Sequence, residues 1–281
     1  MGFATKSKFF ALMLVPIVIA GYASAACGAQ STNDASAPAP ANDAPNDGQN
    51  YFSRHFSADA LGNDVKDAVI RANLAPVAFH KIFVRTRDQL TATDQANDGQ
   101  STSGQSTGGP PKPTIYTVQQ TLENAGHGLI RRMESVQDQD TIAVTRFDLT
   151  YRGYFPFLTQ SVPANAGTLP PVVEARKVMR FDTNTDGHLS FVYLYGPTGQ
   201  QTFNDPGQVI CDSGKSFTAS QLNPAIEGQA RDLDCQVVDS NGIVTNKMKL
   251  AYLEKYGVAL MLHVKSAESA IDSSIVDFKV E

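Results

Sequence analysis

The chain has 281 residues, of which 42% are hydrophobic and 18% charged, with a formal net charge of −5 at pH 7. Its lysines and arginines are scattered rather than clustered, and acidic residues outnumber them. This balance excludes nucleic acid and anionic membrane surfaces as generic partners. The apolar content is that of an ordinary globular protein.

The first 26 residues have the three parts of a secretory signal peptide. Lys6 and Lys8 form a positive start, residues 9–20 form an apolar stretch, and residues 21–26 are small. The apolar stretch is shorter than the roughly 20 residues that a membrane-spanning helix needs. We therefore expect export and removal of this segment, which takes two positive charges with it and moves the net charge from −5 to −7.

Two positions are possible for cleavage of the signal peptide. The small residues at 23–26 suit ordinary signal peptidase, whereas Ser24, Ala25, Ala26 and Cys27 resemble a bacterial lipobox, with Ser24 where that motif usually has Leu. The resemblance implies that Cys27 is lipidated and becomes the new N-terminus, and Gly28 after it is compatible with outer-membrane sorting. The expected location is the periplasm or the outer membrane of a Gram-negative-type bacterium, or the exterior if Cys27 stays unmodified.

The chain has three cysteines, an odd number for an exported protein. Cys211 and Cys235 lie 24 positions apart, and we predict a disulfide between them because oxidising compartments permit one. Closing such a loop stabilises a fold by roughly 3.5 kcal/mol in the chain-entropy model. Two free buried cysteines remain the alternative, and the spacing does not suit a zinc site.

Composition divides the chain into segments. Residues 27–50 are rich in Ala, Pro, Asn, Asp, Gln and Ser, which predicts a disordered tether. In residues 51–90 we predict one helix at 59–74, ended by Pro76, and one strand at 78–87, both packing on the main domain. Residues 91–113 are a second low-complexity stretch and form a loop. Residues 114–281 form the β-rich domain.

Alternating apolar residues run through residues 114–281. Phe147, Leu149 and Tyr151 share one face of a predicted strand, and the turn signal at 239–242 separates two others. This pattern predicts a mainly β fold. We expect an antiparallel sheet, folded as a sandwich or a partial barrel, with one short N-terminal helix.

Residues 182–190 resemble the first nine positions of an EF-hand calcium loop. The resemblance implies that Asp182, Asn184 and Asp186 supply side-chain oxygens. It also implies that His188 supplies its backbone carbonyl and that Ser190 holds a bound water. Tyr193 stands where the family has a bidentate Glu. A β-hairpin with its turn at Asp186-Gly187 is the alternative.

No catalytic constellation is recognisable in the sequence. We therefore predict a non-enzymatic, lipid-anchored binding or structural β-domain of the cell envelope, whose partner is an envelope protein or an apolar ligand. The membrane is reached through the lipid on Cys27, and no cofactor is predicted other than calcium at 182–190. Three alternatives stay open, namely a calcium-stabilised binding module, a periplasmic inhibitor or immunity protein, and a hydrolase whose site is assembled from distant residues.

Overall fold

The computed structural model describes residues 48–93, 113–138, 141–183, 187–199 and 205–281. The predicted signal peptide, Cys27 and all of the predicted tether except residues 48–50 lie outside these ranges. So do residues 94–112 of the predicted low-complexity loop.

Within the described chain, twelve antiparallel strands each pair with the next, and β1 pairs with β12, so that the sheet closes into a barrel. The strands are β1 Lys81–Ala92, β2 Thr114–Gly126, β3 Leu129–Asp138, β4 Thr141–Tyr151, β5 Phe155–Pro163, β6 Val173–Asp182, β7 His188–Pro197, β8 Asp205–Thr218, β9 Gln229–Val238, β10 Val244–Leu253, β11 Val258–Lys265 and β12 Ser269–Val280.

The prediction of a mainly β, antiparallel fold is confirmed, but the barrel is closed rather than partial and is not a sandwich. Closure rests on pairs such as Val84 with Phe278, which are almost two hundred residues apart in the chain. Local alternation predicts which residues share a face, but it holds no information on which distant strand a first strand will meet.

Two α-helices precede the barrel in the described residues, where one was predicted. α1 is Gly48–His55 and α2 is Asn63–Ala72. The first two residues of the predicted helix at 59–74 instead belong to a separate 3-10 turn, Ala58–Ala60. α2 ends at Asn73, which adopts the left-handed conformation that commonly terminates helices.

The pairing between strands is uneven around the barrel. β5 and β6 pair through Leu158 with Glu174 and through Thr159 with Val173, whereas β1 and β2 pair over ten positions. β11 and β12 are also joined over a short stretch, at His263–Lys265. The sheet therefore has long ladders on most of its circumference and two short seams.

Two apolar cores fill the fold. The first joins α1 and α2 to strands β3–β11, and it contains the disulfide between Cys211 and Cys235, which confirms the predicted bond. The two cysteines are directly paired on β8 and β9 and are fully buried. The second core packs the start of β1 against β2, β12 and the β10–β11 turn, with Ile82, Leu122 and Phe278 among its members.

Candidate functional site

The first core contains a dense group of aromatic side chains, called here the aromatic surface. Its rings contact one another at the offset and edge-on distances that aromatic pairs favour, for example 5.1 Å between Phe155 and Phe191 and 5.3 Å between Tyr151 and Phe181. The set comprises Phe147, Tyr151, Phe155, Phe157, Phe181, Phe191 and Tyr193. Strands β4–β7 thus present a continuous apolar surface to their neighbours.

The two helices cover this surface. Phe52 lies on α1 and Phe56 directly follows the helix, with the amide of Phe56 donating to the carbonyl of Phe52 at 3.1 Å, so the two residues are one turn apart. Both are fully buried. Each ring lies 5.7 Å from the ring of Phe147. On α2, Val65 and Val69 repeat the same spacing and belong to the same core. The helices therefore pack on the aromatic surface through an apolar stripe.

A few hydrogen bonds accompany this packing. The Tyr51 hydroxyl donates to Oε1 of Gln160 at 2.8 Å, and Nη1 of Arg131 donates to the carbonyl of Ser53 at 3.3 Å. Beyond α2, Nη2 of Arg152 donates to the carbonyl of Ala75 at 2.7 Å. The first two bonds hold α1, whereas the third holds the connection between α2 and β1.

That connection is also fixed by a close backbone approach. Gly128 has φ +73, and a Cβ on it would lie 2.6 Å from Cβ of Leu74 and 2.8 Å from the carbonyl oxygen of Ala75. A glycine is required there because no side chain fits between the β2–β3 turn and residues 74–75. The chain just after α2 is therefore anchored more tightly than α1 is.

The opposite face of β3 and β4 carries charges, and it is called here the charged face. Asp148 lies between Phe147 and Leu149 in the sequence, and because side chains alternate along a strand, its side chain is on the opposite face from theirs. It is fully buried there. Nε and Nη2 of Arg132 donate to its Oδ2 at 2.9 and 2.7 Å, and Nε of Arg146 donates to its Oδ1 at 3.0 Å. Both carboxylate oxygens are thus bound by guanidinium groups.

These contacts decide the protonation state of Asp148. Burial alone would raise its pKa, but the charges of Arg146 and Arg132, with a hydrogen bond from Thr159, outweigh burial and hold the pKa below the ordinary value. The carboxylate is therefore ionised and paired. Such a triad fixes the geometry of the two neighbouring strands β3 and β4, since removing Asp148 would leave both guanidinium groups without the carboxylate they bind.

The residues of the predicted calcium loop are divided by the structure. Asp182 ends β6 and pairs in the ladder with Ser190 of β7, whose side chain is fully buried. Nδ1 of His188 lies 2.8 Å from Oδ1 of Asp212 on the neighbouring strand. Asn184 and Asp186 lie outside the described residues. Calcium binding here stays a prediction, as does lipidation of Cys27.

Two properties of the described residues concern metals and membranes. No three His, Cys, Asp or Glu side chains in the described part of the chain are grouped so that they could hold a metal ion. Among the helices of the same residues, none is both long enough and apolar enough to cross a bilayer.

The sequence-based reasoning missed α1 and the charged triad. The signal for α1 was present as Tyr51, Phe52 and Phe56, three aromatics at helical spacing, but it directly follows a polar low-complexity stretch. The triad has no sequence signature because Arg132 and Asp148 become neighbours only through the register of β3 and β4.

No family model and no curated protein matches this chain. Two solved structures are similar to it. One is a domain from Vibrio parahaemolyticus named for the sorting of outer membrane lipoproteins, with 10% identity, a TM-score of 0.37, and 80% of this chain and 94% of that one covered. The other is a DUF1329 family protein from Desulfovibrio piger, with 7% identity, a TM-score of 0.34, and coverage of 76% and 91%. Similarities of this size carry no argument about function.

Proposed function

We propose that this protein is an exported, non-enzymatic binding protein of the bacterial cell envelope, and that it holds an apolar chain against the aromatic surface in place of α1 and α2. The observation that carries the proposal is the cover itself. Phe52 of α1, Phe56 directly after it, and Val65 and Val69 of α2 contribute the apolar contacts that an acyl chain would make.

The short length of α1 and α2 favours their displacement by a ligand. α1 and α2 have 8 and 10 residues, and isolated helices of that length are marginal in water, so they depend on packing for their stability. Burying a Phe or Val side chain contributes about 1.5–3 kcal/mol. A ligand of similar apolar area would replace these contacts, and it would shift the equilibrium because it binds only when the helices have left.

The hydrogen bonds that must break are separate from the anchor that must hold. Undocking α1 breaks the bonds from Tyr51 to Gln160 and from Arg131 to Ser53. Residues 74–75 stay in place against Gly128 and Arg152. The helices would therefore swing about the end of α2 without disturbing β1.

Export and anchoring complete the proposal. The signal-peptide pattern of residues 1–26 and the lipobox resemblance at Cys27 support them, and a disulfide suits an oxidising compartment. Mass spectrometry of the N-terminal peptide from the native envelope tests this part. We expect a diacylglyceryl-modified Cys27 at the N-terminus. An unmodified Cys27, or a chain that starts before it, would reduce the proposal to a secreted or periplasmic protein.

Ligand binding is tested with the mature chain and the neutral, lipophilic fluorophore N-phenyl-1-naphthylamine. We expect saturable binding and a rise in fluorescence, with displacement of the probe by a 12-carbon alkyl chain. The variants Phe52→Ala and Phe56→Ala weaken the cover, so the probe should bind them about tenfold or more tightly than the parent, because less of each protein is in the covered state.

Phe278→Ala is the matched control. Phe278 is equally large and nearly fully buried, but it belongs to the second core, away from the helices. We expect probe affinity for this variant to equal that of the parent. The proposed site would be contradicted if the probe showed no saturable binding to the parent, Phe52→Ala and Phe56→Ala. It would also be contradicted if probe affinity rose equally in Phe278→Ala.

A further inference from the structure

Arg152 occupies an unusual position at the edge of the aromatic surface. It lies in the turn between β4 and β5 with φ +53, in the left-handed region, and it is only 5% exposed. The turn is tied to β11 by a hydrogen bond of 2.8 Å from the amide of Ala259 to the carbonyl of Arg152. The backbone conformation and hydrogen bond of Arg152 therefore keep its guanidinium inside the fold.

The guanidinium has no anionic partner in the described chain. Nη1 donates to the carbonyl of Gly257 at 2.9 Å and Nη2 to the carbonyl of Ala75 at 2.7 Å. No carboxylate among the described residues forms an ion pair with it, and the buried Nε has no hydrogen-bond partner there. A buried charge that meets only neutral acceptors is costly, and elsewhere in this protein Arg132 and Arg146 are paired with Asp148.

Buried phenols surround this cation. The guanidinium carbon of Arg152 lies 5.6 Å from the ring centre of Tyr151, and the ring of Tyr154 meets that of Tyr151 edge-on at 5.6 Å. The hydroxyl of Tyr154, which is 4% exposed as a residue, makes no hydrogen bond of ordinary geometry among the described residues, and the Tyr151 hydroxyl is its polar neighbour. The buried Nε–H of the guanidinium and this O–H can therefore both donate to an added acceptor.

The phenols are neutral. Burial raises the pKa of Tyr154 well above its ordinary value and also raises that of Tyr252, while the charge of Arg152 opposes both shifts. A Cβ on Gly257 would meet Nη1 of Arg152 and lie 3.7 Å from the hydroxyl of Tyr252, so this hydroxyl is near the guanidinium. A protonated phenol donates a hydrogen bond, and a guanidinium only donates, so an acceptor is the group these side chains would bind.

We infer that Nε of Arg152 and the hydroxyl of Tyr154 form a subsite for the anionic end, carboxylate or phosphate, of an amphiphile whose alkyl chain lies on the aromatic surface. The inference rests on the proposed function and names its ligand class. Tyr151 connects the two parts, since its ring lies beside the guanidinium on one side and 5.3 Å from Phe181 on the other.

The subsite is rigid before any ligand arrives. A Cβ on Gly257 would collide with Nη1 of Arg152, and a Cβ on Gly153 would lie 2.7 Å from the carbonyl oxygen of Ala259. The two turns therefore meet backbone to backbone, with the guanidinium between them. Hydrogen bonds that are charged and buried are roughly twice as strong as neutral ones, so the site would strongly prefer an anion to a neutral group.

The test compares three ligands with one alkyl chain, namely dodecanol, dodecanoate and dodecyl phosphate, each displacing N-phenyl-1-naphthylamine from the mature protein at pH 8 and below its micelle concentration. We expect at least one of the two anions to compete about tenfold or more strongly than the alcohol. Whichever of dodecanoate and dodecyl phosphate competes more strongly identifies the carboxylate or the phosphate as the preferred head group.

Tyr154→Phe removes one hydroxyl and keeps the ring. We expect it to lose most of the preference for the anion while its affinity for dodecanol stays that of the parent. Tyr193→Phe is the matched control, because Tyr193 is equally buried in the aromatic surface but no cation among the described residues contacts its ring, and it should keep the full preference. Arg152→Lys keeps a positive charge and loses Nε, so it should lose preference as Tyr154→Phe does.

Each result has one meaning. Equal competition by all three ligands overturns the subsite and leaves the apolar site standing. An unchanged preference in Tyr154→Phe, with an unchanged near-ultraviolet circular dichroism spectrum, also overturns the subsite. Failure of all three ligands to displace the probe overturns both the subsite and the proposed function.

Discussion

The second half of β4, from Phe147 to Tyr151, is buried on both faces, and the two faces have opposite chemistry. Phe147 on one side contacts the rings of α1 through non-directional packing. Asp148 on the other side is bound by two guanidinium groups at fixed distances and angles. A surface held by directional bonds accepts one partner, whereas an apolar surface accepts any group of suitable shape.

The comparison indicates which part of the protein can exchange its contacts. The charged face joins β3 and β4 within the barrel wall through directional bonds. The aromatic surface is covered by a segment that lies outside the barrel ladder and is held to the barrel at residues 74–75. We expect the charged face to determine global stability and the aromatic surface to determine ligand binding.

Replacing Asp148 has the largest expected effect. Asp148→Asn removes the buried carboxylate that Arg132 and Arg146 both bind, leaving Glu134 as the remaining acid near Arg132, and breaking a buried ion pair in this way costs about 3–5 kcal/mol. Urea unfolding monitored by circular dichroism measures the change. Asp277→Asn, in an exposed pair with Arg85, is the control and should change stability by about 1 kcal/mol or less. Similar costs for the two variants would contradict the role given to the charged face.

Lowering the pH should reduce the stability that the charged face contributes. Because the folded-state pKa of Asp148 is lowered, its contribution is present above the ordinary carboxyl pKa and is lost as pH falls through the folded-state pKa. We expect the urea midpoint of the parent to drop on acidification from pH 7 to pH 3. The urea midpoint of Asp148→Asn should be lower at pH 7 and should fall less on acidification. If the midpoints of the two proteins fall in parallel, this carboxylate does not contribute to the pH dependence of stability.

On the aromatic side, a smaller change separates binding from stability. Tyr51→Phe removes the hydrogen bond to Gln160, which contributes about 1 kcal/mol. If α1 undocks on binding, the affinity for N-phenyl-1-naphthylamine should rise by up to about fivefold, while the urea midpoint of the barrel changes little. Tyr256→Phe, buried in the second core, should alter neither quantity. An unchanged affinity in Tyr51→Phe would count against displacement of α1.

Calcium at residues 182–190 has the smallest expected effect, and it concerns the turn beside Phe181 and Phe191 of the aromatic surface. A melting curve of the mature protein with millimolar Ca²⁺ should shift upward relative to one with Mg²⁺. At a concentration equal to the dissociation constant the stabilisation is about 0.4 kcal/mol. Asp182→Asn should abolish the shift. Identical melting curves would leave the segment as a plain hairpin.

The sequence predicted the parts of the fold that depend on neighbours along the chain. Alternation placed Phe147, Leu149 and Tyr151 on one face, and all three are buried there. Cysteine parity predicted the bond between Cys211 and Cys235. Both inferences use local spacing or compartment chemistry, which one sequence contains.

The candidate site could not be predicted in the same way. Arg152 is a single arginine in a turn, and its meeting with Ala75 and Gly257 joins three distant parts of the chain. The covering role of α1 depends equally on where the aromatic surface lies after the barrel has closed. Sites assembled by long-range register leave no periodic pattern in the sequence.

Hydrogen–deuterium exchange of the mature protein, with and without saturating dodecanoate, tests the central claim most directly. We expect the amides of α1 and α2 to exchange faster when the ligand is bound, because the helices leave the aromatic surface, while β4–β7 exchange as slowly as before or more slowly. Unchanged or slower exchange of both helices under conditions where the ligand is bound would contradict displacement of the cover.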